Sequence, residues 1–166
     1  MTGGVDFRGV LYAGLMLTPD GVRVLEYNVR FGDPEAEVVL PRIEDDVAAW
    51  LRAAADGALP AMGGPRLSAD ACVAVVMASP GYPTAPLTGA RITGVESAAA
   101  VDGVRVFHAG TAVDAEGRLV TAGGRVLAVC GRGRDVASAR ATAYAGVDRI
   151  GFDGAVYRRD IAAVGA

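Results

Sequence analysis

Glu26 and Asn28 stand two residues apart in the run Leu25-Glu26-Tyr27-Asn28-Val29-Arg30. On a strand that spacing turns both side chains to one face and Tyr27 to the other. A carboxylate beside an amide carbonyl offers hard oxygen donors. They suit Mg2+ or Mn2+, cations that keep waters and take further oxygens from substrate phosphates. Arg30 lies just beyond, where a guanidinium forks onto phosphate or carboxylate. Phe31-Gly32-Asp33-Pro34-Glu35 follows, and a helix start beside Gly32 would aim backbone N–H groups at an anion. The same spacing also describes solvated residues at a strand end, and physics alone leaves the two readings evenly matched.

The elements that would position these groups are legible. Residues 7–17 read as a strand with apolar residues in both alternating sets, which implies burial on both sides. Pro19-Asp20-Gly21 supplies turn chemistry, and residues 22–27 return as the second strand of a hairpin. Residues 34–40 fit a short helix with Asp33 as its cap and Pro34 at the first position. Another helix is expected from Glu44, with Val47, Trp50, Leu51 and Ala54 on one face and Gly57 and Pro60 at its end. Residues 59–65, rich in proline and glycine, read as a linker. The remainder looks mainly β: strands at 71–78, 90–95, 104–113, 118–121 and 125–130, with a turn at 114–117. Asp135 would cap a helix reaching about Ile150, and residues 157–161 would form a last strand. Two units result, about 1–60 and 66–166. A hairpin buried on both faces cannot stand alone, so the first unit is expected to need more sheet than these residues supply.

Composition narrows the function. Acids outnumber bases 19 to 16, for a net charge of −3, and every basic residue is a scattered arginine, so no basic stripe favours nucleic acid. No apolar run approaches the roughly 20 residues of a membrane span. The 52% hydrophobic content implies a packed core. Cys72 and Cys130 sit in separate apolar runs and read as buried thiols of a cytoplasmic protein. The chain has no lysine, which excludes Schiff-base chemistry and a lysine on nucleotide phosphates within it.

Taken with their neighbours, these residues resemble a family. Gly9-Val10-Leu11-Tyr12-Ala13-Gly14-Leu15-Met16 and the run Leu25 through Glu35 are similar to phosphoribosylamine–glycine ligases, also called glycinamide ribonucleotide synthetases. The likeness continues in order through Gly81-Tyr82-Pro83, Val106-Phe107-His108-Ala109-Gly110-Thr111, Gly123-Gly124-Arg125-Val126-Leu127, Phe152-Asp153-Gly154 and Tyr157-Arg158-Arg159-Asp160-Ile161.

The resemblance implies an α+β chain: the end of an ATP-grasp domain, a β-hairpin plus helices, followed by a small β-rich C-terminal domain with one long helix. It implies an ATP-dependent ligase of purine biosynthesis. ATP phosphorylates the glycine carboxylate, and 5-phosphoribosylamine attacks the acyl phosphate, giving glycinamide ribonucleotide, ADP and phosphate. Glu26 and Asn28 fall on the family's metal positions. Arg30 falls on its catalytic arginine near the transferred phosphate or substrate carboxylate. Gly32, Asp33 and Glu35, with Arg30, fall on the substrate side. The cofactors implied are Mg2+ or Mn2+, with ATP as co-substrate.

Two departures matter. Gly14-Leu15-Met16-Leu17 is apolar where many other ATP-grasp enzymes carry an acidic ligand. Family members are also much longer, so the glycine-rich loop and phosphate-binding lysines are expected upstream of Met1. The 166 residues alone are therefore expected not to turn over. A non-catalytic β module, and a ligase with another acceptor, are the alternatives. Other features have plainer readings. Gly131-Arg132-Gly133 fits a helix-entry turn better than a dinucleotide loop. His108 reads as a satisfied strand histidine, Arg158 and Arg159 as surface charges, and Trp50 and Met62 as packing residues.

Overall fold

The computed structural model describes residue 4 and residues 6–163. The first element is an antiparallel hairpin of β1 (Tyr12–Thr18) and β2 (Gly21–Asn28), turning at Gly21, whose φ of 107° excludes most side chains. A bulge between Gly14 and Leu15 shifts its register. The sequence implied burial on both faces, and both faces are instead bare here. Leu15, Leu17, Val22, Val24, Leu25 and Tyr27 are all exposed.

Two short helices follow, α1 (Glu35–Val39) and α2 (Val47–Asp56), with a 3₁₀ turn at Leu40–Arg42 between them. The helix expected from near Glu44 begins at Val47, with Asp46 as its cap. The Asp46 Oδ1 accepts from the backbone N–H groups of Ala48 and Ala49, and Gly57 closes the helix in the left-handed region at φ 73°. Asp33 does not cap α1; no side chain does.

The core lies in the second half. β3 (Ala71–Ala78), β4 (Val104–His108) and β7 (Arg125–Gly133) form an antiparallel sheet in the order β3-β7-β4. Helix α4 (Val136–Val147) packs across one face. Asp135 nucleates α4 through a capping box with Ser138, each side chain bonding the other's backbone. The helix approaches β7 backbone to backbone. A Cβ on Gly131 would stand 2.2 Å from the Ala143 nitrogen and 2.5 Å from the Ala139 carbonyl. Small residues on both surfaces thus bring Val75, Met77, Leu127, Val129 and Val147 into one apolar cluster. Each such side chain contributes roughly 1.5–3 kcal/mol by leaving water.

Sequence and structure part in several places. The expected strand at 104–113 is two strands. The chain leaves β4 at Ala109-Gly110, where a Cβ on Gly110 would meet the Arg125 carbonyl at 2.6 Å, and resumes as β5 (Thr111–Val113) paired with β6 (Leu119–Thr121). Residues 90–95 make only single bridges, Arg91 to Val120 and Thr93 to Gly151. A short helix α3 (Val95–Ala99) then begins. No strand forms at 157–161. Side chains of α4 hold that segment instead, Tyr144 donating to the Arg158 carbonyl at 2.7 Å and Arg140 Nε to the Ile161 carbonyl at 2.9 Å. Gly131-Arg132-Gly133 belongs to β7 and is not a turn. Cys130 is buried as expected, but Cys72 is only half-buried. Among the described residues, no helix is long and apolar enough to cross a membrane.

Candidate active site

The β1–β2 register places Tyr12 opposite Asn28 and Gly14 opposite Glu26, so alternation gathers all four on one face. Gly14 is buried, and a Cβ there would press on Glu26 Cγ at 3.1 Å. The glycine leaves room for the Glu26 side chain to lie across the strand. Asn28 Nδ2 donates to Glu26 Oε1 at 3.0 Å. That bond fixes the amide's orientation and leaves its carbonyl oxygen and the second carboxylate oxygen as donors. Two protein oxygens fit a cation that takes its remaining ligands from water and phosphate. They would not form a closed all-protein cage. Among the described residues, no group of three or more His, Cys, Asp or Glu gathers for a metal.

Arg30 is exposed, and its Nη1 donates to the Phe31 carbonyl at 2.8 Å. That single backbone bond leaves most of its fork facing outward. Gly32 is buried under the Glu35 carboxylate. A Cβ would stand 2.1 Å from Glu35 Oε2, so only glycine lets that carboxylate fold back. Tyr12 completes the contact, its hydroxyl donating to Glu35 Oε1 at 3.2 Å. The Glu35 charge raises the Tyr12 phenol above its ordinary range, with desolvation, the hydrogen bond itself and the Glu26 charge adding smaller rises. The helix start beside Gly32 does not become an open anion cradle. α1 has five residues with Glu35 and Glu37 in its first turn, and the Ala36 N–H is spent on the Gly32 carbonyl.

Asp33 turns away to the second half of the chain. Arg125, first residue of β7, reaches its Oδ2 at 3.1 Å and its carbonyl at 3.4 Å. Arg125 is aimed by close packing around Gly123-Gly124, where a Cβ on Gly124 would strike the Tyr82 ring at 2.5 Å. The six sequence-derived residues thus make separate contacts along the strand end, the loop and the first turn of α1. Asn28 bonds Glu26, Glu35 folds over Gly32, Asp33 pairs with Arg125 and Arg30 faces outward, and Tyr12 and Arg125 are two contact partners that spacing missed. Tyr12 was legible only as a partner in register. Arg125 stood in a quoted motif, with no local signal for its contact.

The other features keep plainer roles. His108 Nδ1 contacts Thr111 Oγ1 at 3.1 Å on the surface. Arg158 pairs with Asp160 at 2.6 Å, and Arg159 lies over the Tyr157 ring. Trp50 and Met62 line a shallow cleft beside Asp45 and Arg66, and Met62 is exposed, so it packs less than its sequence suggested.

Comparison with known proteins follows the same division of the chain. The family described as "Phosphoribosylglycinamide synthetase, C domain" matches residues 72–164, and "Phosphoribosylglycinamide synthetase, ATP-grasp (A) domain" matches residues 1–36. A phosphoribosylamine–glycine ligase of Caulobacter vibrioides is 48% identical over 158 residues, 95% of this chain and 37% of the relative. One of Streptomyces coelicolor is 50% identical over 165 residues, 98% of this chain and 39% of the relative. The crystal structure of a phosphoribosylamine–glycine ligase from Thermotoga maritima superposes with a TM-score of 0.75 at 39% identity, covering 91% of this chain and 36% of that one. The chain thus spans little more than a third of the length of the relatives it matches.

Proposed function

The chain belongs to the phosphoribosylglycinamide synthetase family, and on that premise we propose that it is the C-terminal part of an ATP-dependent ligase joining glycine to 5-phosphoribosylamine in purine biosynthesis. Residues 1–60 end the ATP-grasp domain, and residues 66–166 are the small C-terminal domain. The reaction runs in the cytoplasm. The observation that carries the reading is the 3.0 Å bond between Asn28 and Glu26, which sets two oxygen donors side by side next to Arg30.

In this reading Glu26 and Asn28 hold Mg2+ or Mn2+, which when bound neutralises charge on the ATP phosphate oxygens. The glycine carboxylate attacks the terminal phosphorus, ADP leaves, and an acyl phosphate forms. The amine of 5-phosphoribosylamine then attacks the carbonyl carbon and phosphate departs. Arg30 forks onto the transferred phosphoryl group or the glycine carboxylate, where a fixed guanidinium stabilises charge that develops in transfer. Gly32, Asp33 and Glu35 shape the substrate side, Glu35 oriented by Tyr12 and Asp33 by Arg125. Because the chain has no lysine, the phosphate-binding lysines that the family likeness implies would come from a partner segment carrying the glycine-rich loop. The bare faces of the β1–β2 hairpin support that division of labour.

The test is complementation. The chain is mixed with an upstream fragment of a family member, and ADP release is followed with and without glycine and 5-phosphoribosylamine. Restored activity that depends on both substrates and collapses in Glu26→Ala supports the proposal. Turnover by the chain alone, or complementation indifferent to Glu26→Ala, overturns it.

A further inference from the structure

The loop after β2 carries one base and two acids close together: Arg30, Asp33 and Glu35. The chain turns on itself there, with the Ala36 N–H donating to the Gly32 carbonyl at 3.0 Å. Opposite charges on so short a turning segment attract one another, and the simplest outcome is an ion pair within the loop. That pair does not form. Among the described residues, Arg30 bonds neither acid. Its Nη1 donates to the Phe31 carbonyl at 2.8 Å, and the side chain stands exposed.

Each acid is held from outside the loop instead. Tyr12 on β1 donates its hydroxyl to Glu35 Oε1 at 3.2 Å. Gly32 clears the space into which Glu35 folds, since a Cβ there would collide with Glu35 Oε2. The Glu35 charge leads the causes that raise the Tyr12 phenol above its ordinary range, so the hydroxyl keeps its proton to donate through neutral pH. Asp33 is drawn the other way. Arg125, first residue of β7, reaches its Oδ2 at 3.1 Å and its carbonyl at 3.4 Å. Two side chains from distant strands thus engage the two acids that lie nearest Arg30 in sequence.

A guanidinium already paired with a carboxylate must break that pair before it takes a ligand anion. For an exposed pair the cost corresponds to a loss of anion affinity of up to about fivefold. We propose that Tyr12 and Arg125 are positioning residues that hold Glu35 and Asp33 away from Arg30, and so keep its guanidinium open to a phosphate or carboxylate group of the substrate. The proposal rests on the reading of Arg30 as the anion fork of the ligase site. It gives the second half of the chain a part in that site, because Arg125 occupies an acid that Arg30 would otherwise meet.

The experiment reads Arg30 directly in the isolated chain, where no turnover is needed. p-Hydroxyphenylglyoxal adds to guanidinium groups, and an ion-paired one reacts more slowly. Mass spectrometry follows each arginine, with the exposed Arg23 of β2 as internal reference. Tyr12→Phe keeps the ring and loses only the hydroxyl. That variant and Arg125→Ala should each slow modification of Arg30 by about two- to fivefold, with Arg23 unchanged. Adding Glu35→Gln to Tyr12→Phe, or Asp33→Asn to Arg125→Ala, should restore the parent rate, because an amide forms no ion pair. A merely structural role for Tyr12 or Arg125 would not be relieved by neutralising the acid.

In the complemented enzyme, Tyr12→Phe and Arg125→Ala should raise KM for ATP or glycine by a similar factor. Their kcat should stay close to the parent's, because bound substrate has displaced the carboxylate. An Arg30 modification rate equal to the parent's in either single variant overturns the proposal. So does slowing that the neutralised acid fails to relieve, or a loss of kcat at unchanged KM. If complementation fails while the modification pattern holds, the ligase reading falls and the positioning of Glu35 and Asp33 away from Arg30 stands.

Discussion

Arg125 Nη2 lies 3.1 Å from Asp33 Oδ2, a contact between residues 92 positions apart that ties the loop after the hairpin to the first residue of β7. Both partners are substantially exposed, so the pair adds little to global stability. Arg125→Ala is expected to shift unfolding by no more than about 0.2–1 kcal/mol. Its effect should instead be local, with faster hydrogen exchange at the amides of residues 31–36. Unchanged exchange there would show that the loop does not depend on the tether.

Arg30→Ala should spare the fold, because the side chain is exposed and among the described residues bonds only the neighbouring Phe31 carbonyl. In the complemented enzyme, removing a guanidinium that stabilises developing charge should lower kcat by about 10²–10³-fold. Thermal unfolding should stay put. A kcat within a few-fold of the parent would remove Arg30 from the chemistry.

Gly131→Ala is expected to cost about 3 kcal/mol in urea unfolding, because the new methyl meets α4 backbone, which cannot give way as a side chain would. Gly64→Ala is the matched control, since its Cβ meets nothing within 4 Å. Equal stability of the two variants would contradict the close approach of β7 and α4.

Acid should weaken the fold through Asp114 and Asp135. Hydrogen bonds from Ser138 hold the Asp135 carboxyl below its ordinary range, and the Arg118 backbone N–H leads the causes that do so at Asp114. A carboxyl depressed in the folded state stabilises it fully above the unfolded value and loses that effect as pH falls through the folded one. Tm should therefore decline as pH drops below roughly 4. Asp135→Asn should flatten that decline while lowering Tm at neutral pH. A decline as steep in the variant would exclude Asp135.

What the sequence revealed follows the range of each interaction. The Glu26–Asn28 pair was readable because a period of two is a local property of a strand, and a cap such as Asp135 with Ser138 spans three residues. Asp33 was misread as a cap because its partner, Arg125, is remote in the chain and nothing near Asp33 announces it. Residues 157–161 carry strand-like side chains, yet Arg140 and Tyr144 satisfy their carbonyls and no ladder forms. Helix α3 is five residues long and opens at Gly94, where the Arg149 carbonyl leaves no space for a Cβ. Too few residues remained for a helical period to emerge. The half-exposure of Cys72 depends on which elements cover the sheet, and no spacing encodes that.

The β1–β2 hairpin has a practical consequence for anyone handling the protein. Among the described residues, each of its strands presents an unpaired edge, and both faces carry exposed leucine and valine. Such an edge is a template for any other strand, including that of a second molecule. With a net charge of only −3 spread over the chain, electrostatic repulsion opposes that encounter weakly. Concentrated solutions of the isolated chain should therefore scatter light as strands add edge to edge, and a soluble peptide that caps the hairpin should keep them clear.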